Sequence, residues 1–173
     1  VDLECGSTTN NKERQQQVDF SVGFFEVGSR LLTATDSGIK DFSDLKGKKV
    51  VTTAGTTSER YIRQHEKELG IGEIISAKDH AESFLMLQNG RAAAFMMDDI
   101  LLAGEKSKAK NPEKWHIVGT APIHEVMAVC CVRVSPSVSR LWMMLLKPRI
   151  APVKSTIYIK NGSSRLFHLR IST

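Results

Sequence analysis

Along residues 49–119 the chain alternates between short apolar β-prone runs and longer stretches with apolar positions at helical spacing. Lys49 to Thr53 reads as a strand, and Thr56 to Leu69 as a helix stopped by Gly70. Ile74-Ile75-Ser76 is a second strand. Asp79 to Asn89 is a helix, with Ala81, Phe84, Leu85 and Leu87 at helical spacing and Gly90 ending it. Ala92 to Met97 is a buried strand, Asp98 to Ala109 a helix, and Trp115 to Gly119 a last strand. Strand and helix in strict alternation predict an α/β domain with a parallel sheet and right-handed crossovers. In such sheets ligands bind at the carboxyl ends of the strands. Upstream, residues 1–5 read as a strand that enters the polar loop Gly6-Ser7-Thr8-Thr9-Asn10-Asn11. A helical turn from Lys12 to Gln17 follows, then two β-prone stretches, Val22-Gly23-Phe24-Phe25 and Ser29-Arg30-Leu31-Leu32, and a turn at Asp36-Ser37-Gly38.

Composition narrows the classes. The 173 residues have room for one ordinary domain or two small lobes, and 41% are hydrophobic, as in soluble globular proteins. No apolar run approaches the roughly 18–20 residues that cross a membrane. The first residues read as the middle of a strand, without the basic stretch and apolar core of a signal peptide, so the start of a longer protein is expected to precede them. The net charge of +5 invites a nucleic-acid reading, but its distribution argues against one. Eight of the 24 Lys and Arg lie in residues 126–173, which hold no Asp or Glu; the 16 that remain face 19 acidic residues, so 1–125 is mildly acidic. Three cysteines make a poor metal set, because Cys130-Cys131 lacks zinc-site spacing. One disulfide from Cys5 to the tail and three free thiols stay equally open.

Four places could carry chemistry. Gly55-Thr56-Thr57-Ser58, between a strand and a helix, offers backbone N–H groups and the positive end of a helix dipole, an anion site unless it is plain N-capping. Ser7-Thr8-Thr9 with Arg14 could grip one carboxylate, or form a surface loop with a solvated Arg. Asp98-Asp99 follows an apolar strand, where a buried carboxylate is costly unless a cation such as an ammonium ligand pairs with it; one of the two also caps the next helix. His80, at a helix mouth, could donate to an acidic side chain or serve as a capping or surface residue. Together the four describe an α-amino acid with an acidic side chain. No nucleophile with a base and no carboxylate pair stands out, so no enzyme and no cofactor is expected.

Longer runs are more specific. Glu4-Cys5-Gly6-Ser7-Thr8-Thr9-Asn10-Asn11 with Glu13-Arg14, Asp44-Leu45-Lys46-Gly47-Lys48, Gly55-Thr56-Thr57-Ser58-Glu59, Ile74 to His80, and Gly90-Arg91-Ala92 continuing to Glu105 resemble the glutamate/aspartate-binding proteins of polar amino acid ABC transporters, from residue 1 to about 125. The resemblance implies a type II periplasmic-binding-protein clamshell with lobe 2 largely complete and lobe 1 only partial. Residues 1–33 would be a lobe 1 remnant and first hinge strand, 34–118 lobe 2, and 119–125 the second hinge strand. Arg14 with Ser7 and Thr9 would bind the ligand α-carboxylate, helped by Thr56 and Thr57. Asp98 would take the α-ammonium, and His80 would face the side-chain carboxylate. The implied partners are L-glutamate or L-aspartate and a membrane permease, with no nucleic acid. The implied setting is the periplasm, and the implied state a monomer.

The resemblance stops after Glu125, and residues 126–173 read as an aberrant tail. Where the family continues Glu-Ala-Tyr-Gly-Cys-Met-Leu-Arg-Lys, deleting one base from a suitable coding yields Glu125-Val126-Met127-Ala128-Val129-Cys130-Cys131-Val132-Arg133, so an out-of-frame tail is expected. Such a tail is not selected for alternating faces or caps, which predicts poor packing with Trp142, Met143 and Leu146 exposed. Two further readings stand beside the receptor: a non-functional receptor fragment, and a ligand-sensing or dehydratase domain on the same scaffold.

Overall fold

The computed structural model describes residues 3–21, 23–132, 156–160 and 166–170. The chain divides into two compact units, 27–124 and the remainder, so it passes from one to the other at 26/27 and at 124/125.

The 27–124 unit is built on a mixed sheet. Its strands are β3 (Phe25–Ala34), β4 (Lys49–Thr53), β5 (Glu73–Ala77), β6 (Ala94–Asp98) and β7 (Trp115–Val118), in spatial order β5-β4-β6-β3-β7. β4 pairs in parallel with β5 and β6, as the alternation predicts. β3 is the correction: it runs antiparallel between β6 and β7, so the sheet is not all parallel. Periodicity reports which side chains are buried and carries no information about strand direction. β3 is also one ten-residue strand where two short stretches were expected, and Gly23 and Phe24 lie outside it.

The core follows the period-two pleat of these strands. Leu31, Val50, Ala94 and Met96 face one side, where Ile39, Phe42, Leu45 and Ile62 cover them. Leu32, Val51, Phe95 and Met97 face the other, against Phe84, Leu87 and Leu102. Helix α1 (Thr57–Gln64) thus closes the first face through Ile62, while α3 (His80–Gln88) and α4 (Asp99–Lys108) close the second. β4 and β6 are buried on both sides, which explains why Val50-Val51 and Ala94 to Met97 read as continuous apolar runs. The helix expected over 56–69 is broken. α1 ends at Gln64 and α2 (Glu66–Leu69) restarts after His65, whose ring Nδ1 and backbone N–H both donate to the Tyr61 carbonyl, at 2.9 and 3.1 Å. Gly70 ends α2 at φ 63°, a left-handed turn that favours glycine.

The other unit holds a three-stranded antiparallel sheet in the order β1-β9-β2, from β1 (Leu3–Glu4), β2 (Val18–Phe20) and β9 (Cys130–Val132). β8 (His124–Met127) runs through the 124/125 boundary. A separate hairpin joins β10 (Thr156–Lys160) to β11 (Leu166–Arg170). Poor packing was expected from residue 126 on, and the first residues of that stretch differ: Met127, Ala128 and Val129 are buried. Val126 to Val132 is an unbroken run of apolar residues, enough to fill a strand whatever coding frame produced it. Trp142, Met143 and Leu146 lie outside the described residues. Cys5 and Cys130 are free thiols, and burial pushes the Cys5 thiol above its ordinary range.

Candidate functional site

Three of the sequence candidates come together where β4, β5 and β6 end. This is the carboxyl edge of the parallel part of the sheet, where crossovers leave strand ends and helix starts facing outward. Thr56 precedes α1, His80 opens α3, and Asp98 closes β6 at the N-cap position of α4, without a side-chain cap bond.

Asp98 is only 1% exposed. Its Oδ1 accepts from the Ser29 hydroxyl at 3.2 Å, and Ser29 Oγ lies 3.1 Å from Ser58 Oγ. Ser29 has one proton and gives it to the carboxylate, so Ser58 donates to Ser29. The hydroxyl ladder Ser58 to Ser29 to Asp98 therefore ties the second residue of α1, strand β3 and the end of β6 together. Ser29 and Asp98 are direct cross-strand partners, a register that no sequence signal revealed. A carboxylate this deep needs hydrogen-bond donors or a cation to offset its lost hydration, and the Ser29 hydroxyl supplies one such donor.

Thr56 is committed to structure. Its hydroxyl accepts from Glu59 N–H at 3.1 Å and donates to the Thr53 carbonyl at 2.7 Å. The Thr56 hydroxyl is thus taken up by N-capping, and the feature of α1 that suits an anion is the positive end of its dipole. Glu59 sits beside this helix start and takes the Gly55 N–H at 2.8 Å. Hydrogen bonds from Ser76, Gly55 and Arg63 hold its carboxyl below the usual range, so a fixed negative charge competes at the rim.

His80 is half-buried at the start of α3, after the Asp79 N-cap. Its Nδ1 lies 2.8 Å from Thr53 Oγ1 at the end of β4. Burial lowers its pKa below the ordinary histidine value; Glu105 and Asp79 oppose that shift and Lys108 adds to it.

The other candidates lie in the other unit. Ser7 is half-buried in the loop. Thr9 is 3% exposed and donates its hydroxyl proton to Glu125 Oε2 at 2.9 Å, while Arg14 Nη1 donates to the Thr9 carbonyl at 3.2 Å. Asn11 Oδ1 accepts from Arg14 N–H at 2.8 Å and anchors that turn. Arg14 thus meets Thr9 through the backbone carbonyl. The Thr9 proton, however, goes to Glu125, which the sequence reading did not single out and which lies 116 positions away. Among the described residues no group of three His, Cys, Asp or Glu side chains could hold a metal ion.

Comparisons with known proteins decide the lineage. The chain is 63% identical over 135 residues to the L-glutamate/L-aspartate-binding protein of Pseudomonas aeruginosa, covering 77% of this chain and 44% of that protein. It is 54% identical over 141 residues to the glutamate/aspartate import solute-binding protein of Salmonella typhimurium, covering 81% of this chain and 47% of that protein. The relatives that match this chain at 52–63% identity are glutamate/aspartate-binding proteins. The chain spans a little under half the length of these solute-binding relatives, and no family model matches it. Among solved structures, a point mutant of arginine-bound ArgBP from T. maritima matches 86% of this chain and 67% of its own at TM-score 0.74 and 24% identity. The ligand-binding core of GluR0 from Nostoc punctiforme, in complex with L-glutamate, matches 86% of this chain and 68% of its own at TM-score 0.70 and 27% identity. The fold is that of type II periplasmic binding proteins, and the homologues of this chain are solute-binding proteins rather than enzymes.

Proposed function

We propose that this chain carries the second lobe and part of the first lobe of an extracytoplasmic receptor that binds L-glutamate or L-aspartate and delivers it to the permease of an ABC importer. The observation that carries this is Asp98: a carboxylate 1% exposed, at the carboxyl edge of a sheet, with the half-buried imidazole of His80 at the same edge. One group suits the ligand ammonium and the other its side-chain carboxylate. Thr57 and the start of α1 would receive the α-carboxylate, with Thr56 capping the helix that presents them. Arg14 would add a planar charged donor, with Ser7 and Thr9 shaping its loop. Residues 34–118 would then be the second lobe and 119–125 a hinge strand. The expected setting is the periplasm and the expected state a monomer. The names of the relatives support glutamate and aspartate as ligands.

A second reading is favoured by length. The chain covers 44% of the Pseudomonas relative, and the second reading is a receptor fragment that does not hold the ligand by itself. Each missing charged contact would weaken binding by about 1–3 kcal/mol. Calorimetric titration with L-glutamate and L-aspartate, with L-glutamine as control, separates the two. Micromolar or tighter binding of the acidic pair supports the receptor. No heat from folded protein would mean a receptor fragment that cannot hold its ligand.

A further inference from the structure

His80 is held by a chain of hydroxyls whose direction can be worked out. The Ser83 hydroxyl lies 2.9 Å from the Asp79 carbonyl oxygen, and a carbonyl only accepts, so Ser83 donates there. Ser83 Oγ also lies 2.9 Å from Thr53 Oγ1; its single proton being spent, Thr53 must donate to Ser83. Thr53 Oγ1 lies 2.8 Å from His80 Nδ1, and with its own proton spent Thr53 can only accept there. His80 Nδ1 therefore carries a proton. Thr53 and Ser83 are both buried, so water does not readily take over either bond.

We propose that Thr53 and Ser83 are positioning residues that lock His80 in its Nδ1–H tautomer, so that Nε2 offers a proton only when the ring is charged. A neutral ring held this way presents a lone pair at Nε2 and repels a carboxylate. An imidazolium presents an N–H and attracts one. This deepens the receptor reading and rests on it at one point, the meeting of His80 with the ligand side-chain carboxylate. Binding an acidic amino acid then takes up a proton, while an amide side chain can donate its own N–H to the neutral ring. The relay makes discrimination between acid and amide side chains depend on pH.

The charged groups acting on the ring are Asp79 before α3 and Glu105 and Lys108 on α4, the last two ion-paired at 2.8 Å; from β4 the neighbour is the Thr53 hydroxyl. Burial holds the free ring neutral at pH 7. Bound to a carboxylate, the ring gains an opposite charge and its pKa rises. Glutamate affinity should therefore be highest below the free-state pKa. It should fall by up to about tenfold per pH unit until the bound-state pKa is passed, then level off.

The deciding experiment needs no ligand. Nitrogen-15 spectra of the imidazoles, at a pH above the titration of His80, should show Nδ1 protonated and Nε2 bare. An Nε2–H tautomer would overturn the proposal, whether or not the chain binds glutamate. Calorimetry then tests the consequence: glutamate titrated at pH 7.5 in buffers of different ionisation heat should show proton uptake. Binding without uptake, and with affinity flat from pH 5 to 9, would sink the relay and leave the receptor standing. Ser83→Ala frees the Thr53 proton to bond Nδ1, so the ring should switch to Nε2–H and the pH profile of binding should flatten. Thr53→Ser keeps the hydroxyl and should keep both tautomer and profile. A steep profile in folded Ser83→Ala would count against the relay.

Discussion

The two faces of the central sheet end in polar clusters of opposite sense. On the α1 face protons run toward Asp98, from Ser58 through Ser29 to the carboxylate. On the α3 face they run away from His80, through Thr53 and Ser83 to the Asp79 carbonyl. Both chains are made of hydroxyls, which donate or accept with equal ease. Their direction is imposed by the terminal group, which in both cases can only accept. The same chemistry thus delivers protons to one functional group and leaves the other with a bare Nε2 until it is charged. The lesson is that a buried hydroxyl takes its polarity from the far end of its network, not from its own residue type.

The largest expected effect removes the packing beneath one cluster and spares the other. Phe95 is fully buried on the α3 face, and Phe95→Ala should cost about 3–5 kcal/mol, read by urea denaturation. Next is the charge itself. If Asp98 pairs with a ligand ammonium as proposed, Asp98→Asn should weaken glutamate binding about 10–100-fold by calorimetry, from about 1.5–3 kcal/mol per charged hydrogen bond. An unchanged affinity would remove Asp98 from the site. Neighbouring threonines on β4 then sharpen the contrast. Thr53→Val breaks the relay and should cost about 1–2 kcal/mol, because it takes the acceptor from the ring Nδ1–H. Thr52 points to the opposite face, where its buried hydroxyl has no hydrogen-bond partner among the described residues, so Thr52→Val should stabilise by about 1 kcal/mol. The smallest effect is in the pH dependence of stability. The folded His80 pKa lies below its unfolded value near 6.5, so the unfolded chain binds the proton more readily. Its contribution is full above about pH 6.5 and is lost as pH falls through the lowered folded value. His80→Gln should remove that slope from thermal melts between pH 5 and 7.

Much of the 27–124 unit was legible. β4 stands at Lys49–Thr53 as read, and α3 lies one residue inside each expected end. Gly70 and Asp79 carry local signals that a single stretch of chain contains, a left-handed stop and an N-cap. β2 and β9 were not legible, because each is only three residues long and forms by pairing with distant chain. In the candidate site, the positions of His80 and Asp98 at strand and helix ends could be read, since local pattern sets them. Ser29, Ser83 and Glu125 could not. Each becomes a partner through a contact 29, 30 or 116 positions away: Ser29 to Ser58, Ser83 to Thr53, Glu125 to Thr9.

By itself the sequence determined where the helices and most of the strands of the 27–124 unit lie and which residue types gather at the sheet edge, because periodicity, caps and strand ends are local properties of the chain. The tertiary structure alone decided that β3 enters antiparallel between β6 and β7, which aligns Ser29 with Asp98. It also decided that Thr56 spends its hydroxyl as a cap and that His80 holds its proton on Nδ1. Strand direction and proton direction both depend on partners distant in sequence, and a partner exists only once the chain has folded.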